Sequence, residues 1–301
     1  MKYKVAITGV GGSAGMSCIK ALRGYELHGF DCNPLSAGFK FVKSALIPSA
    51  TDLAFFESLR GFCKEMDVLI PTVDEELPII AERKNELPCK VVISSLRSVH
   101  LCLDKRKMVE VLARGVPKTM YPSNEIPELT GAKFPLVVKP SHGRGSRDIY
   151  ICKDEEDLRY AIKCCANRVS VIIQECLDPP EYSVDTLSDL DGNCLVAVPR
   201  ERIEVKGGVI WRGTIVRDER IERLAIWAVE KLKMVGPAVV QIRQNKIIEI
   251  NPRFGGSTIL TVKAGVNTPK LAVKIFMGEK VGKIPVPKQL SMARYFEEVY
   301  F

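Results

Sequence analysis

Four short apolar runs in the first 98 residues, KVAITG, LHGFDCN, DVLIPT and KVVIS, alternate with segments of helical period, and no other feature constrains the fold as strongly. The helical segments run from about Ser13 to Leu22, near Asp52 to Glu65 and near Glu75 to Lys84. Strands separated by helices imply βαβ crossovers and a parallel sheet covered by those helices. Ligands of such sheets gather at the carboxyl ends of the strands, where Gly9, Gly11, Gly12, Asp31, Asn33 and Asp74 fall. The glycine turn in TGVGGSAGMS fits the dinucleotide fingerprint imperfectly, although Asp31 lies near the distance expected of a ribose-gripping acid. A substrate or other anion at the helix start near Ser13 is therefore expected in preference to a nicotinamide dinucleotide. An oxidoreductase remains a competing class, recognisable by binding that dinucleotide better than ATP.

Beyond residue 98 the texture changes. Asp104 can cap a helix that stops at Gly115, and a proline-bearing connector leads to a strand, LVVKP. A glycine-containing loop, SHGRGSR, a strand, DIYICK, a helix opened by Asp154 and a buried strand, VSVIIQECL, follow. The next segment reads as a hairpin turning at Asp191-Gly192, followed by a helix from about Asp218 to Met234, a second hairpin and two closing helices. At 301 residues and 46% hydrophobic, the chain can bury a sizeable core and commonly divides into about two domains.

The net charge of +8 comes without a Lys/Arg run of the kind that marks a nucleic-acid arm, so no nucleic acid partner is expected. No apolar stretch approaches the roughly 18 residues of a membrane span, and no signal peptide is legible; a cytoplasmic protein without membrane contact is expected. The ten cysteines form no CxxC and only three histidines accompany them, which argues against zinc. Cys18, Cys32, Cys152 and the pair Cys164-Cys165 are expected as reduced core residues. The aromatic tail ARYFEEVYF is expected to pack on its own domain, with a homodimer contact as the other outcome.

The chemistry is densest in VVQIRQNKIIEINPRFGGST. A period of two in IIEIN puts Glu249 and Asn251 on one face, with Ile248 and Ile250 on the other. A loop of Gln244, Asn245 and Lys246 would set Gln241 opposite Glu249. Three hard oxygen donors then share a patch with little formal charge. That suits Mg²⁺, whose shell substrate phosphates and water complete, and Mn²⁺ would take the same donors. Arg253 follows, placed to reach whatever the metal holds. An ordinary surface hairpin would not need a carboxylate and an amide facing inward beside that arginine. Lys139 sits among apolar neighbours near a strand end, a place lysine occupies when an anion pairs with it. The loop Ser141 to Ser146 could cover phosphates with its backbone N–H groups, though GxxxxGK[ST] is absent. The backbone of Gln174 to Leu177 could meet an adenine edge, and Glu181 follows at a spacing suited to a ribose diol.

In this order the pieces resemble the ATP-grasp superfamily, most closely its carbamoyl-phosphate-synthase-like branch, over nearly the whole chain. The resemblance implies an α/β and α+β architecture. A Rossmann-like pre-ATP-grasp domain would span residues 1–98, and an ATP-grasp domain of two α+β subdomains clasping ATP would span 99–301, its lid at about 117–176. It implies two Mg²⁺ ions on Gln241, Glu249 and Asn251, with Lys139 and Lys105 on the ATP phosphates and Gly143, Gly145 and Ser146 in the covering loop. Glu175 and Leu177 fall at the adenine contact and Glu181 at the ribose contact. Arg253 falls where the family stabilises the transferred phosphoryl group. Gly11, Gly12 and Ser13 would line the acceptor cleft, flanked by Arg200 and Arg202 of PRERIEVKGG. Departures are the loop's Arg144 and Arg147 and the presence of one ATP-grasp unit, which argues against a complete carbamoyl phosphate synthase.

The implied reaction is ATP-dependent phosphorylation of a carboxylate to an acyl phosphate that an amine or other nucleophile attacks. Two further readings stay open: a bicarbonate- or carbamate-phosphorylating enzyme, which bicarbonate alone would stimulate, and a catalytically silent ATP-binding module, which would bind MgATP without turnover.

Overall fold

A computed structural model describes residues 3–120, 133–143, 148–166 and 170–301. The first sheet is parallel throughout, in the order β3-β2-β1-β4-β5, from β1 (Lys4–Thr8), β2 (Glu26–Asp31), β3 (Lys43–Leu46), β4 (Val68–Ile70) and β5 (Lys90–Val91). Helices α1 (Ser13–Ala21), α2 (Phe55–Cys63), α3 (Leu77–Arg83) and α4 (Leu96–Leu103) provide the crossovers and cover. The sequence pattern missed β3, an edge strand whose KSAL residues are mostly exposed and carry no apolar signal. It also ran one helix through Glu75, where a 3₁₀ turn over Asp74–Glu76 precedes α3.

The second sheet is antiparallel, in the order β14-β13-β10-β11-β12-β15. Its strands are β10 (Glu181–Ser188), β11 (Cys194–Lys206), β12 (Val209–Ile215), β13 (Gly236–Arg243), β14 (Lys246–Asn251) and β15 (Ser291–Ala293). One face packs Val184, Val240, Ile242, Ile247 and Ile250 against α5 (Lys105–Leu112) and α7 (Glu219–Lys231). The helices α8 (Thr258–Lys263) and α9 (Thr268–Phe276) lie toward the other face. A third, smaller sheet, β6-β9-β7-β8, joins β6 (Thr119–Met120), β7 (Leu136–Pro140), β8 (Tyr150–Cys152) and β9 (Val171–Glu175) under α6 (Glu155–Ala166).

The apolar run KVAI is explained by burial on both faces of β1. Ala6 faces the cluster that holds α2 and α3, whereas Val5 and Ile7 join a cluster containing Leu187, Val198, Phe254 and Leu260. A single core therefore links the parallel sheet to the second sheet.

Both hairpins occur, with one difference of detail. The first turns through Asp189–Asn193, where Gly192 has φ +89° and Asp189 accepts from the Asp191 and Asn193 N–H groups at 3.0 and 2.8 Å. The second turns on two residues rather than three: Gln244 and Asn245 have φ +44° and +55°, as a type I′ turn requires, and Arg243 pairs with Lys246. A bulge between Gln241 and Ile242 then absorbs one residue, so Gln241 still pairs with Glu249 while Ile242 pairs with Ile247. The extra residue is Ile248, which turns away from the core that buries Ile247 and Ile250.

Two other expectations are corrected. The tail packs on its own chain only at its start, where β15 pairs with β12, Arg294 donates to the Trp211, Ile210 and Gly256 carbonyls and Phe296 rests on Trp211; Tyr295, Phe296 and Tyr300 are still 78%, 80% and 84% exposed. Cys32 is exposed, because it follows the end of β2 at the cleft rather than lying within the strand, whereas Cys18, Cys152 and Cys165 are buried. No two cysteines among the described residues are joined in a disulfide. Among the described residues no helix is long and apolar enough to cross a membrane.

Candidate active site

Antiparallel pairing sets residues of four strands in rows across one face of the second sheet. Arg200 pairs with Ser183, Ser183 with Gln241, and Gln241 with Glu249. One row further, Asp185 pairs with Val239, and Val239 with Asn251. One row in the other direction, Glu181 pairs with Arg243, and its carboxylate lies 2.8 Å from Arg202 Nε. The period of two therefore delivers an oxygen-rich patch, Gln241, Glu249 and Asn251, flanked by arginines.

Two cavities meet at that patch. A larger one of about 810 Å³ opens between the carboxyl ends of the parallel sheet and the second sheet. A smaller one of about 330 Å³ lies between the second and third sheets. Arg202, Gln241 and Glu249 line both.

Two lysines stand on the smaller cavity. Lys105, the first residue of α5, lies 3.5 Å from Glu249 Oε1 through its ammonium, which also donates to the Gly143 carbonyl at 2.9 Å. Asp104 caps that helix by accepting from the Arg106 and Lys107 N–H groups, which fixes where Lys105 begins. Lys139 is buried and donates to the Ile248 carbonyl at 3.1 Å; burial brings its ammonium down to about 8, against the pull of Glu249. The bulge that turns Ile248 thus also supplies the acceptor that orients Lys139.

On the larger cavity Arg253 makes a bidentate pair with Asp74, Nε to Oδ1 and Nη2 to Oδ2 both at 2.6 Å. Its third nitrogen donates to the Phe254 carbonyl at 3.0 Å. Burial opposes the charge, but Asp74 outweighs it and holds Arg253 above its usual range. Arg200, 1% exposed, pairs with Asp185, whose other contacts are the hydroxyls of Thr258 at 3.2 Å and Thr261 at 2.5 Å.

The family described as ATP-grasp in the biosynthetic pathway with Ter operon matches residues 167–299. The carbamoyl phosphate synthase large chain of Archaeoglobus fulgidus is 24% identical over 309 residues, which cover 89% of this chain and 27% of that protein. The chain thus spans about a quarter of the length of the curated relatives it matches. Among solved structures, N5-carboxyaminoimidazole synthetase from Staphylococcus aureus complexed with ADP superposes with a TM-score of 0.77 at 16% identity, covering 98% of this chain and 83% of that one. The biotin carboxylase domain dimer of Hydrogenobacter thermophilus 2-oxoglutarate carboxylase, in complex with MgADP, ADP and bicarbonate, gives 0.76 at 17%, covering 94% and 72%. Residues 167–299 thus match an ATP-grasp family model, and the fold is shared with these solved structures.

Of the residues singled out in the sequence, Lys105, Lys139, Gly143, Glu175, Leu177 and Glu181 line the smaller cavity. Gly11, Gly12, Ser13, Arg200, Asn251 and Arg253 line the larger one. Gly145 and Ser146 lie outside the described residues. The backbone of the Gln174 to Leu177 segment is less open than expected. Glu175 N–H donates to the Lys118 carbonyl at 3.1 Å, Cys176 N–H to the Pro135 carbonyl at 3.2 Å, and the Leu177 carbonyl accepts from Arg243 at 3.2 Å. Glu175 itself is ion-paired to Lys246. Glu181 is likewise engaged, gripped by Arg202 and by Arg243 Nη2 at 2.6 Å, so it anchors an arginine pair at the boundary between the cavities. Arg202 also donates from Nη1 to Ser183 Oγ at 3.0 Å and from Nη2 to the Gly208 carbonyl at 3.2 Å.

Sequence reasoning missed Arg243 and Asp185, although each follows a named residue at a spacing of two or four on the same strand face: Arg243 after Gln241, Asp185 after Glu181. It also missed Glu76, whose carboxylate accepts from the Thr72 and Val73 N–H groups at 2.8 and 3.0 Å and from the Thr8 hydroxyl. Burial pushes this carboxyl up to about 7, above its ordinary 4.5. A raised folded value means that its stabilising contribution is complete below about pH 4.5 and lost as pH rises through about 7. Glu76→Gln, which keeps an accepting oxygen, is expected to unfold like the parent near pH 4.5 and to be more stable by about 3 kcal/mol at pH 8. Denaturant melts across that range check it, and a variant equally destabilised at both ends would overturn it.

Proposed function

We propose that this protein is an ATP-grasp enzyme and an ADP-forming ligase: it phosphorylates a carboxylate substrate with ATP, and an amine or other nucleophile attacks the acyl phosphate to form a C–N bond. The observation that carries this reading is the meeting of two cavities at Gln241 and Glu249, one beside two lysines and the other open to the acceptor side. ATP fits the smaller cavity, its phosphates toward Lys105 and Lys139.

Gln241, Glu249 and Asn251 are suited to hold Mg²⁺, since one carboxylate and two amides leave most of the ion's charge for phosphate oxygens. When bound, Mg²⁺ would neutralise charge on the transferring group; two ions, or Mn²⁺, suit the same donors. Phosphoryl transfer needs positioning and charge neutralisation more than covalent help from the protein. Lys139 and Lys105 would hold the phosphates, and Arg253, kept charged and fixed by Asp74, would face the moving group from the acceptor side. A cavity of about 810 Å³ suits an acceptor much larger than bicarbonate, which favours an organic carboxylate. The partners are then small molecules met in the cytoplasm.

The test is ADP release by the purified protein with Mg²⁺ and ATP, challenged with pools of amino acids, other carboxylates, amines and bicarbonate. A pool-dependent rise is expected, and splitting that pool names the substrates. Stimulation by bicarbonate alone would move the assignment to a bicarbonate-phosphorylating enzyme, and MgATP binding without a rise in any pool would make the protein a silent module.

A further inference from the structure

The larger cavity reaches well past the phosphoryl-transfer patch, and its far side is built unlike its near side. Arg200 is 1% exposed, yet only Nη2 is used, on Asp185; Nε and Nη1 have no hydrogen-bond partner among the described residues. A buried guanidinium with two unpartnered nitrogens is costly unless a ligand completes it. Its neighbours do not need those donors. Arg202 differs in that it is ion-paired to Glu181 and donates to Ser183 Oγ and the Gly208 carbonyl, and Asp185 is shared by Arg200 and two threonines.

The same wall carries the start of α1. Its N-cap is Gly12, which brings no capping side chain, so the first-turn N–H groups are left for another acceptor. Asp31 reaches only as far as the Gly11 N–H, at 2.8 Å. The two features converge on one dipeptide. A Cβ at Gly255 would lie 3.6 Å from Arg200 Nη2, and a Cβ at the adjacent Gly256 would lie 2.2 Å from Ser13 Oγ. Both glycines line the cavity with Arg200 and Ser13, and their missing side chains leave the backbone close to both groups.

We infer that Arg200 and the first turn of α1 form a subsite for a second anionic group, a carboxylate or phosphate, on the acceptor substrate. Two strand spacings separate Arg200 from Gln241, so this group would sit about 10 Å from the transfer patch. The inference rests on the ligase reading for the word acceptor, but the subsite itself does not require turnover.

Two measurements separate the two ideas. In the first, inorganic phosphate and a linear dicarboxylate are titrated into the nucleotide-free protein by calorimetry. Binding is expected, weakened about tenfold to a hundredfold in Arg200→Gln, as for loss of paired charge-assisted hydrogen bonds. Because Arg200→Gln strands Asp185, the double variant R200Q/D185N, which removes both charges together, is measured beside it, with thermal unfolding as the control for fold. In the second, ADP release is compared between monocarboxylates and matched acceptors bearing a second carboxylate or a phosphate. The doubly anionic acceptors are expected to be preferred, with the acceptor KM raised by a similar factor in R200Q/D185N and the KM for ATP unchanged; whether carboxylate or phosphate wins identifies the group. Anion binding lost in both variants without any ADP release would keep the subsite and reject the ligase. Unchanged anion binding in a folded R200Q/D185N protein, or equal use of monocarboxylates, would overturn the subsite.

Discussion

Replacing Glu249 with alanine is expected to cut ADP release by roughly a thousandfold, about 4 kcal/mol of transition-state stabilisation, while leaving ATP affinity within a few-fold of the parent. Glu249 is the carboxylate of the oxygen patch, directly opposite Gln241 and 3.5 Å from the Lys105 ammonium. Removing it takes away the charged donor of the proposed metal site, but it leaves Lys105 and Lys139 to hold phosphates, so binding and turnover separate. Initial rates with an active acceptor, together with calorimetric ATP binding, measure the two effects. A Glu249→Ala protein that kept near-normal ADP production would remove Gln241, Glu249 and Asn251 from the metal assignment. One that lost ATP binding outright would make Glu249 a structural partner of the lysines.

The second large effect is on stability. Asp185→Asn is expected to destabilise the protein by about 3–5 kcal/mol at neutral pH, because it leaves the Arg200 guanidinium buried without a counter-charge. The cost lies in stranding one partner rather than in losing the contact. Arg200→Gln in the same protein should therefore recover most of the loss, since burying two neutral polar groups avoids the desolvated charge. Denaturant unfolding of the two single variants and the double variant gives the cycle. Single losses that simply add in the double variant would show that the pair is not electrostatically coupled.

Much of this site could be read along the chain because β-strands repeat every two residues. Glu249 and Asn251 on one face and the pairing of Gln241 with Glu249 are consequences of that period, and the structure carries them, whereas Arg200 and Arg202 are reached through the family resemblance. The parallel sheet was legible for another reason, its continuous apolar runs buried on both faces and separated by helical segments, with β3 lost because an exposed edge strand has no apolar run to reveal it. The second hairpin shows the limit of local reasoning. A symmetric loop and a two-residue turn with a bulge give the same Gln241 to Glu249 pairing, but only the bulge turns Ile248 outward and offers its carbonyl to Lys139.

By itself, then, the sequence determined which residues share a face: the parallel alternation of the first 98 residues and the oxygen donors of the hairpin follow from periods spanning a few residues. Tertiary structure alone decided which charges are already taken. Arg253 meets Asp74 across 179 residues of chain, Glu181 meets Arg243 across 62, and Lys139 meets the Ile248 carbonyl across 109. The core that holds Val5 and Ile7 against Val198 and Phe254 sets those distances. An ion pair depends on separations of a few ångströms, and no pattern of neighbours along the chain encodes a distance between segments that only burial of a common core brings together.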